Sequence, residues 1–153
     1  MIRGVHHPAL SVPDLEEALE FYCGVLGFEK VMQAGWPRGV KILDDAIGLE
    51  DSSCKVAMVK KGYSCIEIFE FESPTPRAAD PNRPVNDHGI THISLDVTDL
   101  KAEVDRLRAA GMRFHSAPAD MPGDNFVYGR DPFGNVIELL EVGDPDGPTA
   151  IYR

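Results

Sequence analysis

The chain has 153 residues, a length that fits one domain able to bury a core without covalent staples. Lys and Arg number 15 against 25 Asp and Glu, a formal net charge of −10; a surface of that sign repels phosphate backbones and excludes nucleic acid as a partner. The three cysteines, Cys23, Cys54 and Cys65, form neither a paired framework nor a CxxC metal motif. With no charged leader followed by an apolar stretch at Met1–His7, and no apolar run near the roughly 18 residues of a membrane span, the reading is a cytoplasmic protein with reduced thiols and no membrane contact.

In chain order, Val5–Val12 reads as a strand, broken by Pro13-Asp14, with Asp14 placed to cap the next helix. Leu15, Ala18, Leu19, Tyr22 and Leu26 recur at helical spacing, and Gly27 supplies a left-handed stop. Strands follow at Phe28–Gln33, Lys55–Val59 and Ser64–Phe71, with Lys60-Lys61-Gly62 as a polar hairpin turn. Ala34–Ser53, which holds the only Trp (Trp36), reads as irregular, and its acidic residues lack calcium-loop spacing. Ser73–Asp87 carries four prolines and reads as an extended connection. A second strand and helix follow, the helix opening at Asp99-Leu100, continuing through Val104 and Leu107 and ending near Gly111. Strands at Phe126–Arg130 and Asn135–Val142 flank the turn Asp131-Pro132-Phe133-Gly134-Asn135. The predicted domain covers 1–143, with module one at 1–73, a linker at 74–87 and module two at 88–142; 143–153 is read as a tail.

The halves repeat each other. His7-Pro-Ala-Leu-Ser-Val-Pro-Asp-Leu15 matches His92-Ile-Ser-Leu-Asp-Val-Thr-Asp-Leu100, and Ile66-Glu-Ile-Phe-Glu70 matches Ile137-Glu-Leu-Leu-Glu141. Each half begins with a His-bearing strand and ends with a Glu-bearing one, giving an α+β layering of strand–helix–strand–strand–strand. Because strand side chains alternate, Leu10 and Val12 oppose His7, and Ile66 and Ile68 oppose Glu67. The second half repeats this around His92 and Glu138. Carboxylates among apolar neighbours need compensation. Two imidazoles and two carboxylates converging on a divalent cation would supply it, and that donor set suits Zn²⁺, Fe²⁺, Mn²⁺, Ni²⁺ or Co²⁺. The bland alternatives are a satisfied polar strand His and a Glu on the wet side of an edge strand.

The run His7-x-x-Leu10-x-Val12-x-Asp14-Leu15, then Phe21-Tyr22 and Leu26-Gly27-Phe28, resembles the opening of a vicinal-oxygen-chelate (glyoxalase-like) module. Asp131-Pro-Phe-Gly-Asn135 with Ile137-Glu138-Leu139 resembles its close, and the motifs span residues 4 to 142. The resemblance implies paired βαβββ modules forming a concave, half-barrel-like mixed sheet around one divalent metal ion (Ni, Co, Fe, Mn or Zn). It puts the ligands at His7, Glu67, His92 and Glu138, and it implies a homodimer. The ligand set is similar to that of bacterial glyoxalase I. Gly89-Ile90-Thr91-His92 is similar to the start of the second module in methylmalonyl-CoA epimerases, which often carry Gln at the Glu67 position. The basic residues expected to hold glutathione are not recognised; Arg3 and Arg38 are the positions to consider.

The implied activity is that of a lyase, isomerase or epimerase on a small oxygenated substrate, with Glu138 or Glu67 as the base that takes a proton next to a carbonyl. Two other readings stay open. His7, His92 and Glu138 alone would make a 2-His-1-carboxylate triad for Fe(II) extradiol-type dioxygenation. A metal-free binding module like the bleomycin-resistance proteins would lack the ligand set. His6 reads as a structural residue on the helix side, and His88 and His115 as loop residues within reach of substrate. Trp36, Phe69, Phe71, Phe126 and Tyr128 read as core packing or as an apolar pocket wall.

Overall fold

A computed structural model describes residues 1–119 and 123–151. The chain divides into two compact units, Met1–Ala78 and Ala79–Arg153, of which the last two positions lie outside the described residues, as do the last two of the expected tail. The architecture is α+β, with a mixed four-stranded sheet in each unit.

In the first unit, strand β1 (Ala9–Ser11) runs parallel to β4 (Ser64–Ser73), while β2 (Glu29–Trp36) and β3 (Ser53–Lys61) continue the sheet antiparallel, in the order β1-β4-β3-β2. The β1–β4 register sets Ala9 beside Glu67 and Ser11 beside Phe69. Alternation then sorts the faces. Ile66 and Ile68 on β4, with Ala57 and Val59 on β3, are buried at 3% exposure or less. Glu67, Phe69 and Phe71 lie on the other face and are half-exposed.

Helix α1 (Leu15–Leu19) covers the aliphatic face with Leu15 and Ala18, both fully buried. Asp14 caps it as expected, Oδ1 accepting from the Glu17 amide at 2.9 Å. The expected single helix instead widens into a π-helical stretch at Glu20–Val25 before the left-handed Gly27, with Leu26 bonding back to Phe21. The wider turn brings the adjacent Phe21 and Tyr22 both into the core.

The sequence-based boundaries need three corrections. The first strand begins at Ala9 rather than Val5, so His7 sits two residues before it, beside the Pro8 carbonyl that accepts from the Glu67 amide. The Ala34–Ser53 stretch is not irregular: β2 runs on to Trp36, and a helix α2 occupies Lys41–Ile47. That helix is two turns long, buries none of its residues and has no side-chain N-cap, so it carries little of the usual sequence signal. It ends on Gly48 with φ of +70°. The second unit adds an unexpected two-residue strand at Arg113–Phe114.

The second unit repeats the plan. Strand β5 (Ile93–Asp96) lies parallel to β8 (Val136–Glu141); β7 (Asn125–Arg130) and the unpredicted two-residue β6 (Arg113–Phe114) complete the order β5-β8-β7-β6. Helix α3 (Leu100–Ala109), capped by Asp99, buries Leu100, Val104 and Leu107 on the aliphatic side formed by Ile137 and Leu139. Arg130 is buried with its guanidinium donating to the carbonyls of Gly134 and Arg83, which pins the start of this unit to β7. Among the described residues no helix is long and apolar enough to cross a membrane, and Cys23, Cys54 and Cys65 are free thiols.

Candidate metal centre

Each unit brings one His and one Glu of the expected ligand set together. His7 Nε2 lies 3.2 Å from Glu67 Oε2. His92 Nε2 lies 3.4 Å from Glu138 Oε2. The parallel pairing of the first and last strands causes this: β1 lies beside β4 and β5 beside β8, so a His just ahead of one strand reaches a Glu in the middle of the other. All four side chains are between 13% and 29% exposed, open enough for a ligand to enter and closed enough to weaken solvent screening. Among the described residues no three His, Cys, Asp or Glu side chains gather into one metal-binding group. The structure therefore shows two pairs, and the donors in each, an imidazole nitrogen facing a carboxylate oxygen, fit a divalent cation.

A second duplicated carboxylate, Glu70 and Glu141, turns out to be structural. Glu70 Oε2 accepts from the Leu15 amide at 2.8 Å, and Glu141 Oε1 accepts from the Asp99 amide at 2.6 Å. Each bond ties the start of a helix to the Glu-bearing strand and places negative charge at the positive helix end. The repeated Glu-x-x-Glu was visible in the sequence; its second position needed the helix contact to be understood.

The surroundings of the two pairs differ. Beside Glu67, Phe69 and Phe71 stack with ring centroids 5.2 Å apart, and Trp36 meets each edge-on at 6.4 Å. Trp36 is held there by its Nε1–H, which donates to Ser52 Oγ at 2.9 Å. Ser52 in turn is held by Asp44 on α2, which accepts from both its amide and its hydroxyl. These two bonds hold the Asp44 carboxyl below the usual carboxylate range, the hydroxyl being the larger cause. The inserted helix thus fixes the one Trp as an aromatic wall on the Glu67 face. Beside Glu138, Tyr128 meets His92 edge-on at 5.1 Å and packs against Phe126 at 5.9 Å. Burial raises the Tyr128 phenol above its ordinary value, and the hydrogen bond to Glu138 and that group's charge raise it further.

The other expected positions fall as follows. His6 does not pack on the helix side; it is exposed, and its Nδ1 lies 2.7 Å from His7 Nδ1. Strand β1 begins only at Ala9, so strand alternation does not extend to His6 and nothing turns it toward the helix side. His115 accepts from Arg130 Nε at 3.1 Å; burial and the Arg130 charge both hold its pKa below the ordinary value. Arg38 pairs with Asp51 at 3.2 Å. Arg3 and His88 are exposed. Sequence reasoning missed Thr91, whose hydroxyl lies 2.8 Å from His92 Nδ1.

A model of the Glyoxalase/Bleomycin resistance protein/Dioxygenase superfamily matches residues 4–139. A 2-epi-5-epi-valiolone epimerase from an Actinomyces species is 34% identical over 150 residues, covering 90% of this chain and 79% of that protein. A lactoylglutathione lyase from Pseudomonas putida is 25% identical over 145 residues, covering 89% and 83%. A glyoxalase family protein from Bacillus cereus has the same fold, with a TM-score of 0.84 at 22% identity over 94% of this chain and 97% of the other. The chain belongs to the Glyoxalase/Bleomycin resistance protein/Dioxygenase superfamily, as a glyoxalase-like isomerase or lyase.

Proposed function

We propose that His7, Glu67, His92 and Glu138 hold one divalent metal ion, and that the protein is an epimerase or related isomerase or lyase acting on a carbon next to a carbonyl. The observation that carries the reading is the duplicated pair, each His Nε2 within 3.2–3.4 Å of a Glu oxygen. Neither pair alone fills the coordination of a transition metal, whereas two pairs supply four donors. Both pairs come from one chain or from two chains of a homodimer.

The ion, when bound, stabilises negative charge that develops on a substrate oxygen. The chain's own residues do the rest. Glu138 or Glu67 takes the proton from the carbon beside the carbonyl, the C–H electrons pass into the carbon–carbon bond of an enolate, and a proton returned to the opposite face inverts that carbon. Two carboxylates with different neighbours suit removal and return of a proton. The wall of Trp36, Phe69 and Phe71 offers a flat apolar surface for the carbon skeleton. The valiolone epimerase relative supports a small polyhydroxylated ketone as substrate class. An iron dioxygenase would need Glu67 off the ion, yet Glu67 faces its His as closely as Glu138 does.

Solvent exchange tests this. Metal-loaded protein is incubated in D₂O with 2-epi-5-epi-valiolone and a set of simpler α-hydroxy ketones, and deuterium at the α-carbon is followed by NMR. Exchange with at least one ketone, lost in whichever of Glu138→Gln and Glu67→Gln still holds its metal, is the expected result and names the base. Metal-loaded wild type that exchanges none of them, but takes up oxygen with a catechol, would overturn it.

A further inference from the structure

Partners across a ladder share a face of the sheet, so the side that carries each Glu can be read rung by rung. In the first unit one rung sets Ala9, Glu67, Met58 and Met32 side by side. The next holds Ser11, Phe69, Val56 and Ala34, and the one after it Phe71, Cys54 and Trp36. Glu67 is the one charged side chain on these rungs. Lys60, opposite Cys65, is exposed and lies on the far side of Glu67 from the aromatic rings. In the second unit the rungs Ser94–Glu138–Tyr128 and Asp96–Leu140–Phe126 carry charge only at Glu138 and Asp96. Arg130, one rung further, has its guanidinium committed to the Gly134 and Arg83 carbonyls and to the His115 ring. Arg38 and Lys41, the cations of the stretch that carries α2, are paired with Asp51 and Asp45.

A substrate carried on a phosphate, on coenzyme A or on glutathione brings negative charge and needs cations to hold it. On either face it would meet carboxylates instead, and like charges brought together repel. The first face offers rings in place of charge. Trp36 reaches across β3, where Cys54 and Val56 are buried, to meet Phe69 and Phe71 on β4. Its indole N–H is fixed by Ser52, which is fully buried, and Ser52 is fixed by Asp44, which also accepts from the Asp51 amide at 3.2 Å. A surface held this firmly gains most from a partner that is itself rigid. The C–H face of a six-membered ring lies flat on an aromatic surface with little internal freedom to lose, whereas an open chain must give up its bond rotations to do the same.

We propose that Asp44 and Ser52 are positioning residues that hold Trp36 as the specificity-determining surface beside Glu67, and that this surface takes an uncharged, ring-shaped hydroxy ketone in preference to an open-chain one or to one on an anionic carrier. The inference rests on the reading above of an enzyme that acts next to a carbonyl, and it names the substrate class of that site. It also gives the exposed helix α2 a purpose: the helix buries nothing of its own and supplies the carboxylate at the far end of the chain Asp44–Ser52–Trp36.

The test uses the metal-loaded full chain. Exchange of the α-proton in D₂O is followed by NMR at rising concentrations of 2-hydroxycyclohexanone, acetoin and S-lactoylglutathione, which gives kcat and KM for each. Emission from Trp36, the chain's only tryptophan, reads contact with the bound molecule. The wild type is expected to favour the ring ketone over each of the other two by about tenfold in kcat/KM, mainly through KM, with a shift in Trp36 emission. Ser52→Ala and Asp44→Ala are expected to raise KM for the ring ketone and cut its preference over acetoin to about threefold or less, with kcat held within about twofold. Either variant suffices if the other does not fold. Acetoin or S-lactoylglutathione used as well as the ring ketone by the wild type, or the full ring preference kept in a folded variant, would overturn the inference and leave the carbonyl reading standing. Exchange with none of the three, and none with 2-epi-5-epi-valiolone, would overturn that reading and this inference with it.

Discussion

Tyr128 stands directly across the β7–β8 ladder from Glu138, with its phenol close enough for that carboxylate to add to burial in raising its pKa above the ordinary value. The corresponding rung of the first unit sets Met58 opposite Glu67. A thioether donates no hydrogen bond, so the two carboxylates are alike in chemistry and differently held. Tyr128→Phe keeps the ring beside His92 and removes the donor. Metal affinity measured by chelator competition should fall by about tenfold, whereas Met58→Leu should leave it within about twofold. Equal behaviour of the two variants would mean that the phenol does not orient Glu138.

The Glu70 and Glu141 carboxylates anchor the two helix starts. Replacing either with Ala should lower stability by about 1–2 kcal/mol in denaturant unfolding, the usual worth of a charge-assisted bond at a helix start. Glu70 also pairs with Lys55 at 2.7 Å, so the pair of variants separates the helix contribution from the ion pair.

These anchors show how far the sequence could be read. The Glu strands were legible because one face of each, Ile66 and Ile68 on β4 and Ile137 and Leu139 on β8, is aliphatic and buried, which forces alternation around Glu67 and Glu138; His7 and His92 lie just ahead of their strands and were legible from the internal repeat. Asp14 and Asp99 were legible as caps because capping is local chemistry. Helix α2 was not, because it buries none of its residues and so carries no core-facing signal. Thr91 and the corrected role of His6 were not, because a contact between adjacent side chains depends on which nitrogen the ring turns outward. The strand β6 is two residues long, too short for alternation to register.

His115 gives a pH prediction with a definite sign. Its folded pKa lies below the ordinary value, through burial first and the Arg130 charge second. Above the unfolded value near 6.5 both states are neutral and the full stability is present. As pH falls below that value the unfolded state takes up the proton first, so stability is lost progressively down to the lowered folded pKa. His115→Gln should flatten the part of the stability–pH curve that lies below about pH 6.5. An unchanged curve would assign the acid sensitivity elsewhere.

Cys54 lies against Trp36 in the β2–β3 ladder and is 3% exposed. Burial, then the charges of Glu67 and Glu72, push its thiol up to about 11. The thiolate is the reactive form, so at pH 8 Cys54 in the native protein should react with a disulfide reagent at least roughly a hundredfold more slowly than in the unfolded chain. Mass spectrometry of partially labelled protein, compared with the unfolded control, checks this. Fast native labelling at Cys54 would mean that the aromatic wall opens readily.

The central claim is that both His–Glu pairs serve one ion, and metal content tests it most directly. Wild type, His7→Ala and His92→Ala are reconstituted with a divalent metal, freed of excess, and analysed by inductively coupled plasma mass spectrometry. Four donors acting together predict about one ion per chain in wild type and loss of most of it in either variant, because the three remaining donors of an opened set hold a metal less tightly than four. No ion in the wild type, or about half the load kept by each variant, would contradict the account.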